Sequence, residues 1–546
     1  MKRKISQAYR AILDQETDYI KKDPGGKIRI ALAYPNTYYV GMSNLGFQTM
    51  YHVFNARPDT LCERVFLPSK DLERIYRYDA TPLLTLESQT PVKEFDILAF
   101  SCSFENDYLN CLKILELAGL PLRFKERDDT CPIIIMGGVC TFFNVEPMTA
   151  FMDCFICGEG ETIGNEFLDL YRAWFEADQG KYDFLHTLLG LEGVYVPIFY
   201  DYRYDSQGTI TDLIIHKDAP ERIRPRIEKD IDFLKTSSVI FTHNTEFCDM
   251  CLLEVTRGCP RGCSFCLLSQ IYKPFRQRGL EILLNMVRDG LGRRKKIGLI
   301  GASLTDYKDL EALCEGILSE GGKFSLCSMR ADSLSDRLMA SLGKSGLKTV
   351  TLAPEAGSEE LRSSIGKTDM TNDKIMEGIE RLVKYEIPNL KLYFMIGLPH
   401  EAPKDVEAII LLIKKIRHHA VQISRGRGSL RQITISVSSF VPKPLTPFQF
   451  YPMESVELLN RKIRYLTKSI SALKGINFTH DLPKWSYIQG LLARGDRRVG
   501  EMLFLAHQKD GNWSRAFKEI NLSPDFYLYR SIHEDDIPPW ILWLKR

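Results

Sequence analysis

"LLEVTRGCPRGCSFC", Leu252 to Cys266, decides how this chain is read. Its first half is a short apolar run ending at a glycine, the signature of a buried strand. Its second half carries Cys259, Cys263 and Cys266 at C-x3-C-x2-C spacing, and Cys248 and Cys251 lie just upstream. Five thiols within nineteen residues need a metal, a reaction or a packing reason.

Downstream, the run repeats as alternating strands and helices. Strands are expected in "LLEVTR", "KIGLIGAS", "FSLCSMR", "KTVTLAPE", "LKLYFMIGLP" and "ITISVSSFVP", with amphipathic helices between them. Six consecutive βα units suggest a partial barrel, although spacing alone leaves an open sheet as the alternative. In a barrel, working residues collect where strands end. Cys259 to Cys266 follow the first strand, Ser303 the second, Arg330 the third, Glu355 the fourth and Gly397 to Glu401 the fifth.

Upstream, "IRIALAYP", "DILAFSCS", "PIIIMGG" and "CFICGEGE" read as strands alternating with helices, hence a Rossmann-like parallel sheet. Ligands of such sheets sit beyond the carboxyl ends of the strands. The candidate loops are Pro35–Gly46, Ser101–Asn106, Gly137–Asn144 and Gly158–Glu161. The expected organisation is α/β: an N-terminal domain over 1–215, a charged linker over 216–246, the barrel core over 247–452, and a helical and irregular region over 453–546.

The 546 residues have room for about three average domains. The net charge of +2 gives no overall pull towards nucleic acid or anionic membrane. No uninterrupted apolar stretch approaches the ~20 residues of a spanning helix. The opening "MKRKISQAYRAILDQETDYIKK" is basic without an apolar core, unlike a secretory signal. The expectation is a cytoplasmic protein whose thiols stay reduced. Most of its fourteen cysteines, including Cys154 and Cys157 of "DCFICGEG", read as small core hydrophobes.

The cysteine loop has two metal readings. Cys248, Cys251, Cys263 and Cys266 give C-x2-C-x11-C-x2-C, near zinc-ribbon spacing, and so a zinc-stabilised binding protein. That reading takes the first strand away from the barrel and leaves Cys259 idle. The alternative is a cubane iron–sulfur cluster, which normally takes four cysteines. Three thiolates leave one iron open to a substrate or cosubstrate, which argues for catalysis over electron transfer.

C-x3-C-x2-C with Phe265 before the last cysteine, set after the first strand of a βα series, resembles the radical S-adenosylmethionine superfamily over roughly Thr245 to Pro452. The resemblance implies that Cys259, Cys263 and Cys266 hold a 4Fe–4S cluster whose open iron chelates S-adenosylmethionine. Reductive cleavage would then give a 5′-deoxyadenosyl radical. It implies further that Phe265 packs beside the adenine and that Arg330 pairs with the methionine carboxylate. Glu355 of "APEAGSEELRSSIGK" would contact the ribose, and Gly397 would let backbone approach the adenine. Structural alternatives stand beside three of them: a surface ion pair for Arg330, a helix-start acid for Glu355 and a strand-end turn for Gly397. Methylation or methylthiolation of an unknown substrate, and a flavodoxin or ferredoxin as reductant, belong to the same expectation.

The N-terminal half resembles the cobalamin-binding-like domain preceding many such cores. "ALAYPNTYYVGMSNLGFQTMYHVFN", "GEGE", "EVTRGC" and "FVPKPLTPFQF" are similar to an uncharacterised bacterial family of these proteins. The usual D-x-H-x-x-G loop here reads "PNTYYVGMSNLG" and lacks the histidine. His52 falls inside a helix and reads as packed or surface. Cobalamin held without a protein ligand is one alternative; a scaffold or substrate platform is the other. Two basic stretches, "GRRKK" at 292–296 and "KKIRHHAVQISRGRGSLRQ" from Lys414, raise an RNA reading against solvated helix ends.

Overall fold

A computed structural model describes residues 2–424, 430–533 and 535–544. In the N-terminal half, β1 (Ile28–Tyr34), β2 (Thr60–Phe66), β3 (Ile97–Ser101), β4 (Ile133–Gly137), β5 (Cys154–Ile156) and β6 (Val194–Tyr195) form one sheet in the order β2-β1-β3-β4-β5-β6. The first five are parallel and β6 is antiparallel to β5. From β1 the chain moves to one side for β2 and to the other for β3. That reversal opens a crevice at the carboxyl ends of β1 and β3. Nearly every residue of β1 is buried, as a central strand covered on both faces requires. Helix Leu45–Ala56 starts where the Asn44 side chain accepts the Phe47 N–H at 2.9 Å.

Two antiparallel strands, β7 (Tyr200–Tyr204) and β8 (Ile210–Ile215), follow as a hairpin. Residues 216–246 have no strand or helix, yet they are held on both sides. Arg226 exchanges backbone hydrogen bonds with Cys157 and Glu159, and Ser237 bridges to Leu253.

The second half begins with β9 (Met250–Glu254) and the short β10 (Thr256–Arg257), which pairs with β11 (Arg276–Gln277). Then come β12 (Lys296–Ile300), β13 (Lys323–Leu326), β14 (Thr349–Glu355), β15 (Asn389–Ile396), β16 (Gln432–Ser439) and β17 (Ile476–His480). They form parallel sheets β13-β12-β9 and β14-β15-β16-β17, linked by one parallel bridge between Met329 and Leu352. All six expected core strands are present. A seventh, β17, extends the array beyond Pro452, where helix and irregular chain are expected from the sequence.

Burial alternates strictly along β14, β15 and β16. In β15, Leu390, Leu392, Phe394 and Ile396 are buried while Lys391, Tyr393 and Met395 are half-buried. Thr434, Ser436 and Ser438 of β16 stand opposite Lys391, Tyr393 and Met395 in register. Strands covered on both faces would bury both rows. One face here is therefore packed under helices, and the other, carrying Lys391, Tyr393, Met395, Thr434, Ser436 and Ser438, is partly open.

The C-terminal helices fold back onto the N-terminal half. Arg123 forks onto Glu501 at 2.7 and 2.6 Å, and Asn144 donates to the carbonyls of Ala493 and Gly495. Among the described residues no helix is long and apolar enough to cross a membrane.

Candidate functional site

The cysteine loop spans residues 258–275 between β10 and β11, with Arg257 directly opposite Arg276. Gly258 and Gly262 adopt positive φ of 88° and 71°. At Gly258 a Cβ would lie 2.3 Å from the Tyr272 carbonyl, so only glycine lets the loop cross itself there. The Ser264 N–H donates to Ile365 O at 3.0 Å, and its carbonyl accepts from Phe448 N–H at 3.2 Å. The middle of the loop is thus tied to the segments that follow β14 and β16.

The three thiols share one environment. Cys263 is buried, and Cys259 and Cys266 are half-buried. Burial pushes the Cys263 thiol up; Lys367 and Arg330 oppose this, while Cys266 and Cys259 add to it. Burial also raises Cys266, against the backbone N–H groups of Ser269 and Leu268, and Cys259 and Glu355 raise it further. Among the described residues, no three His, Cys, Asp or Glu side chains converge on a point fit for a single ion. A cubane puts different thiolates on different irons, so it does not need that convergence. Soft thiolates beside cations suit such a cluster.

The other expected residues mostly surround these thiols. Phe265 packs against a cluster containing Ala356, Ile365, Leu398 and Phe448. Glu355 ends β14 at φ 68°, and its Oε1 lies 3.0 Å from Lys367 Nζ. Lys367 also donates to Ala353 O at 2.6 Å, and its Nζ stands 5.9 Å from the Phe265 ring centre. Arg330 is forked onto Asp332 through Nε and Nη2 at 2.9 and 2.8 Å, which leaves Nη1 outside the pair. Gly397 is already engaged within the protein. Its N–H is shared by both Glu401 oxygens at 3.1 Å, and a Cβ there would meet Leu459 at 2.8 Å. Packing within the protein therefore already accounts for that glycine.

Lys367 and Asp332 are missed by the sequence reading. Lys367 closes the quoted segment that begins before Glu355; twelve residues separate the pair, too many for any local helical or strand rule to join them.

The four-thiol zinc site is corrected by the structure. Cys251 is buried on β9, beneath Gly290 of helix Leu280–Leu291, near the amino end of the strand. Cys263 and Cys266 lie in the loop beyond the carboxyl end. The strand itself separates the two pairs. Cys154 and Cys157 are fully buried, as core packing requires.

The second feature is a cavity of about 530 Å³ over the N-terminal sheet. Ile30, Leu32, Ala99 and Ile135 present one face of the sheet to Phe54 and Phe167 of the covering helices. All four candidate loops reach it, through Asn44, Ser103, Gly138 and Glu161 among others. The opposite wall comes from the second half: Glu254, Thr256, Arg257, Ile300 and Gly301. No histidine lines it, and His52 is half-buried within helix Leu45–Ala56. A deep apolar slot with a polar end suits a large organic cofactor bound without a histidine ligand.

The basic stretches are partly engaged. Arg293 pairs with Asp18 at 2.9 Å, and the Arg294 guanidinium lies 5.0 Å from the Phe241 ring centre. Lys414 to Ile423 finish helix Pro403–Ile423, and residues 425–429 of the second stretch lie outside the described residues.

Comparison with known proteins agrees with this geometry. Residues 46–197 match the family model "Radical SAM proteins, N-terminal", and residues 253–413 match the radical SAM superfamily. An uncharacterized protein of Methanocaldococcus jannaschii, MJ0966, is 31% identical over 479 residues, 87% of this chain and 90% of that one. The ribosomal protein uS12 methylthiotransferase RimO of Thermosipho africanus is 24% identical over 36% of this chain and 49% of its own. In structure, 80% of the chain matches the cobalamin-dependent S-adenosylmethionine radical enzyme OxsB, solved with aqua-cobalamin, at TM-score 0.50 and 14% identity. The chain spans about three fifths of OxsB, 62%. The chain belongs to one family with the M. jannaschii protein and to the radical SAM superfamily, whose N-terminal and core models its two halves match, and it shares its fold with OxsB.

Proposed function

We propose that the chain is a radical S-adenosylmethionine enzyme, with a 4Fe–4S cluster on Cys259, Cys263 and Cys266 and cobalamin in the N-terminal cavity. The observation that carries this reading is the single environment shared by the three thiols, Lys367, Arg330 and Glu355 at the strand ends. The cluster, when bound, supplies the electron that splits the sulfonium. The protein's part is to bind and orient. Arg330 offers its free Nη1 to the methionine carboxylate, and a guanidinium suits that partner. Phe265 packs beside the adenine. Glu355, steadied by Lys367, meets the ribose. Gly397 remains assigned to backbone approach near the adenine. The core is read as a partial βα barrel whose open face, Lys391, Tyr393, Thr434 and Ser436 among others, receives the substrate.

Support for cobalamin comes from a preformed cavity built from all four candidate loops and from the fold shared with OxsB. The transferred group is a methyl or methylthio group; the latter follows the name of RimO. A flavodoxin or ferredoxin in the cytoplasm is the proposed reductant.

Anaerobic protein, reconstituted with iron and sulfide, tests the proposal. It should carry about four irons per chain, bind hydroxocobalamin, and convert S-adenosylmethionine to methionine and 5′-deoxyadenosine on reduction. Protein that takes up no cluster, or a cluster that leaves the cosubstrate intact, would refute it.

A further inference from the structure

One carboxylate from the N-terminal half grips both ends of the cysteine loop. Glu159 is buried and sits at the start of helix Gly160–Glu176, on the cavity wall. Its Oε2 accepts from Arg257 Nη1 at 2.9 Å and from Arg276 Nη1 at 2.8 Å. Its Oε1 accepts from Arg276 Nη2 at 2.7 Å. Arg257 is the residue before the loop and Arg276 the residue after it, paired across β10 and β11.

The surrounding charges balance. Arg257 also forks onto Glu254, at 2.9 and 2.8 Å, and reaches Glu161 at 2.8 Å. Arg278 binds the same Glu254 at 3.2 Å. Three guanidinium groups thus meet three carboxylates at the end of the cavity. Among the described residues, Glu159 is the carboxylate that joins Arg257 and Arg276, the two residues bounding the loop.

We propose that Glu159 is a positioning residue that closes the two stems of the cysteine loop onto the N-terminal half and so sets where the thiols stand. The inference rests on the radical S-adenosylmethionine reading for its purpose, but its geometry is independent of that reading. A charge-assisted contact to both stems holds the loop as a ring. A contact to one stem would leave the other held only by the short β10–β11 pairing.

Hydrogen exchange on the full chain, purified without metal, tests this. Glu159→Gln should speed exchange across 258–275 by about ten-fold while β1 and β15 keep wild-type protection. Glu161→Gln removes a charge from the same turn but touches Arg257 alone, and should change exchange there by less than about three-fold. Arg276→Lys keeps the charge and loses the fork, so it should resemble Glu159→Gln. Equal protection in Glu159→Gln and wild type, or an equal rise in Glu161→Gln, would overturn the proposal. Failure of both Glu159→Gln and Arg276→Lys to fold, judged by melting and far-ultraviolet dichroism, would overturn it too, because the role would then be general support. Iron uptake is measured on the same samples. A wild type that loads no iron refutes the enzymatic reading and leaves the exchange result to judge the clamp.

Discussion

The two halves shape their candidate sites by different physics. The N-terminal cavity is made by packing. Its walls are sheet and helix side chains in ordinary core positions, and its space persists because the strand order reverses beneath it. The cysteine loop is made by charge. The Cys263 and Cys266 thiols are raised by burial, and the cations around the loop are already engaged, Arg330 by Asp332 and Lys367 by Glu355. A site made by packing resists filling; a site made by charge resists neutralisation. Substitutions of each kind should therefore act on one half and spare the other.

The largest effect is expected at the thiols. Cys263→Ala should reduce iron from about four per chain to background and cut cosubstrate cleavage at least ~1000-fold. Cys251→Ala, on the far end of β9, should keep both. Next, Ala99→Leu puts a branched side chain into the cavity and should weaken hydroxocobalamin binding about 100-fold, with iron content unchanged. Equal loss of iron in that variant would mean the two sites are not separable.

Smaller effects sharpen the charge side. Lys367→Met leaves the Glu355 carboxylate without its cation and should lower stability of the metal-free chain by about 2 kcal/mol, read from the urea midpoint. Asp107, at the carboxyl end of the N-terminal sheet, gives a pH test. Burial raises its carboxyl from 3.8 to about 6, against hydrogen bonds from Asn36 and Asn110. The folded state holds that proton more tightly than the unfolded state. Stability from this group is therefore lost as pH rises through the window from 3.8 to about 6. Asp107→Asn keeps an oxygen for both amides and removes the ionisation. It should match wild type at the acid end of the window and exceed it by about 3 kcal/mol above the window. A constant difference across pH would discard the burial argument.

Much of the architecture was legible because strands buried on both faces, or alternating in and out, leave apolar runs. Each of the ten runs read as strands contains one. β2 escaped because its middle is "CER", with Glu63 and Arg64 inside. Arg64 is fully buried only because Glu16 and Glu87 reach it from 48 and 23 residues away. β17 escaped for the opposite reason: its residues are largely exposed and polar. Hairpin β7–β8 carried an alternating pattern and an Asp-Ser-Gln-Gly turn that the reading passed over. The cysteine loop could be found because its ligands are neighbours in sequence. The clamp could not, since Glu159 precedes Arg257 by 98 residues and Arg276 by 117.

The shared wall of the cavity has a consequence for assembly. Glu254, Thr256, Ile300 and Gly301 belong to the later half of the chain, yet they close a chamber whose other sides are finished long before. An isolated N-terminal half would present an open trough with apolar flanks exposed to water. A ligand of the chamber, such as the proposed cobalamin, would be sealed in only after β9 and β12 have docked, so during synthesis its retention would wait for the second half.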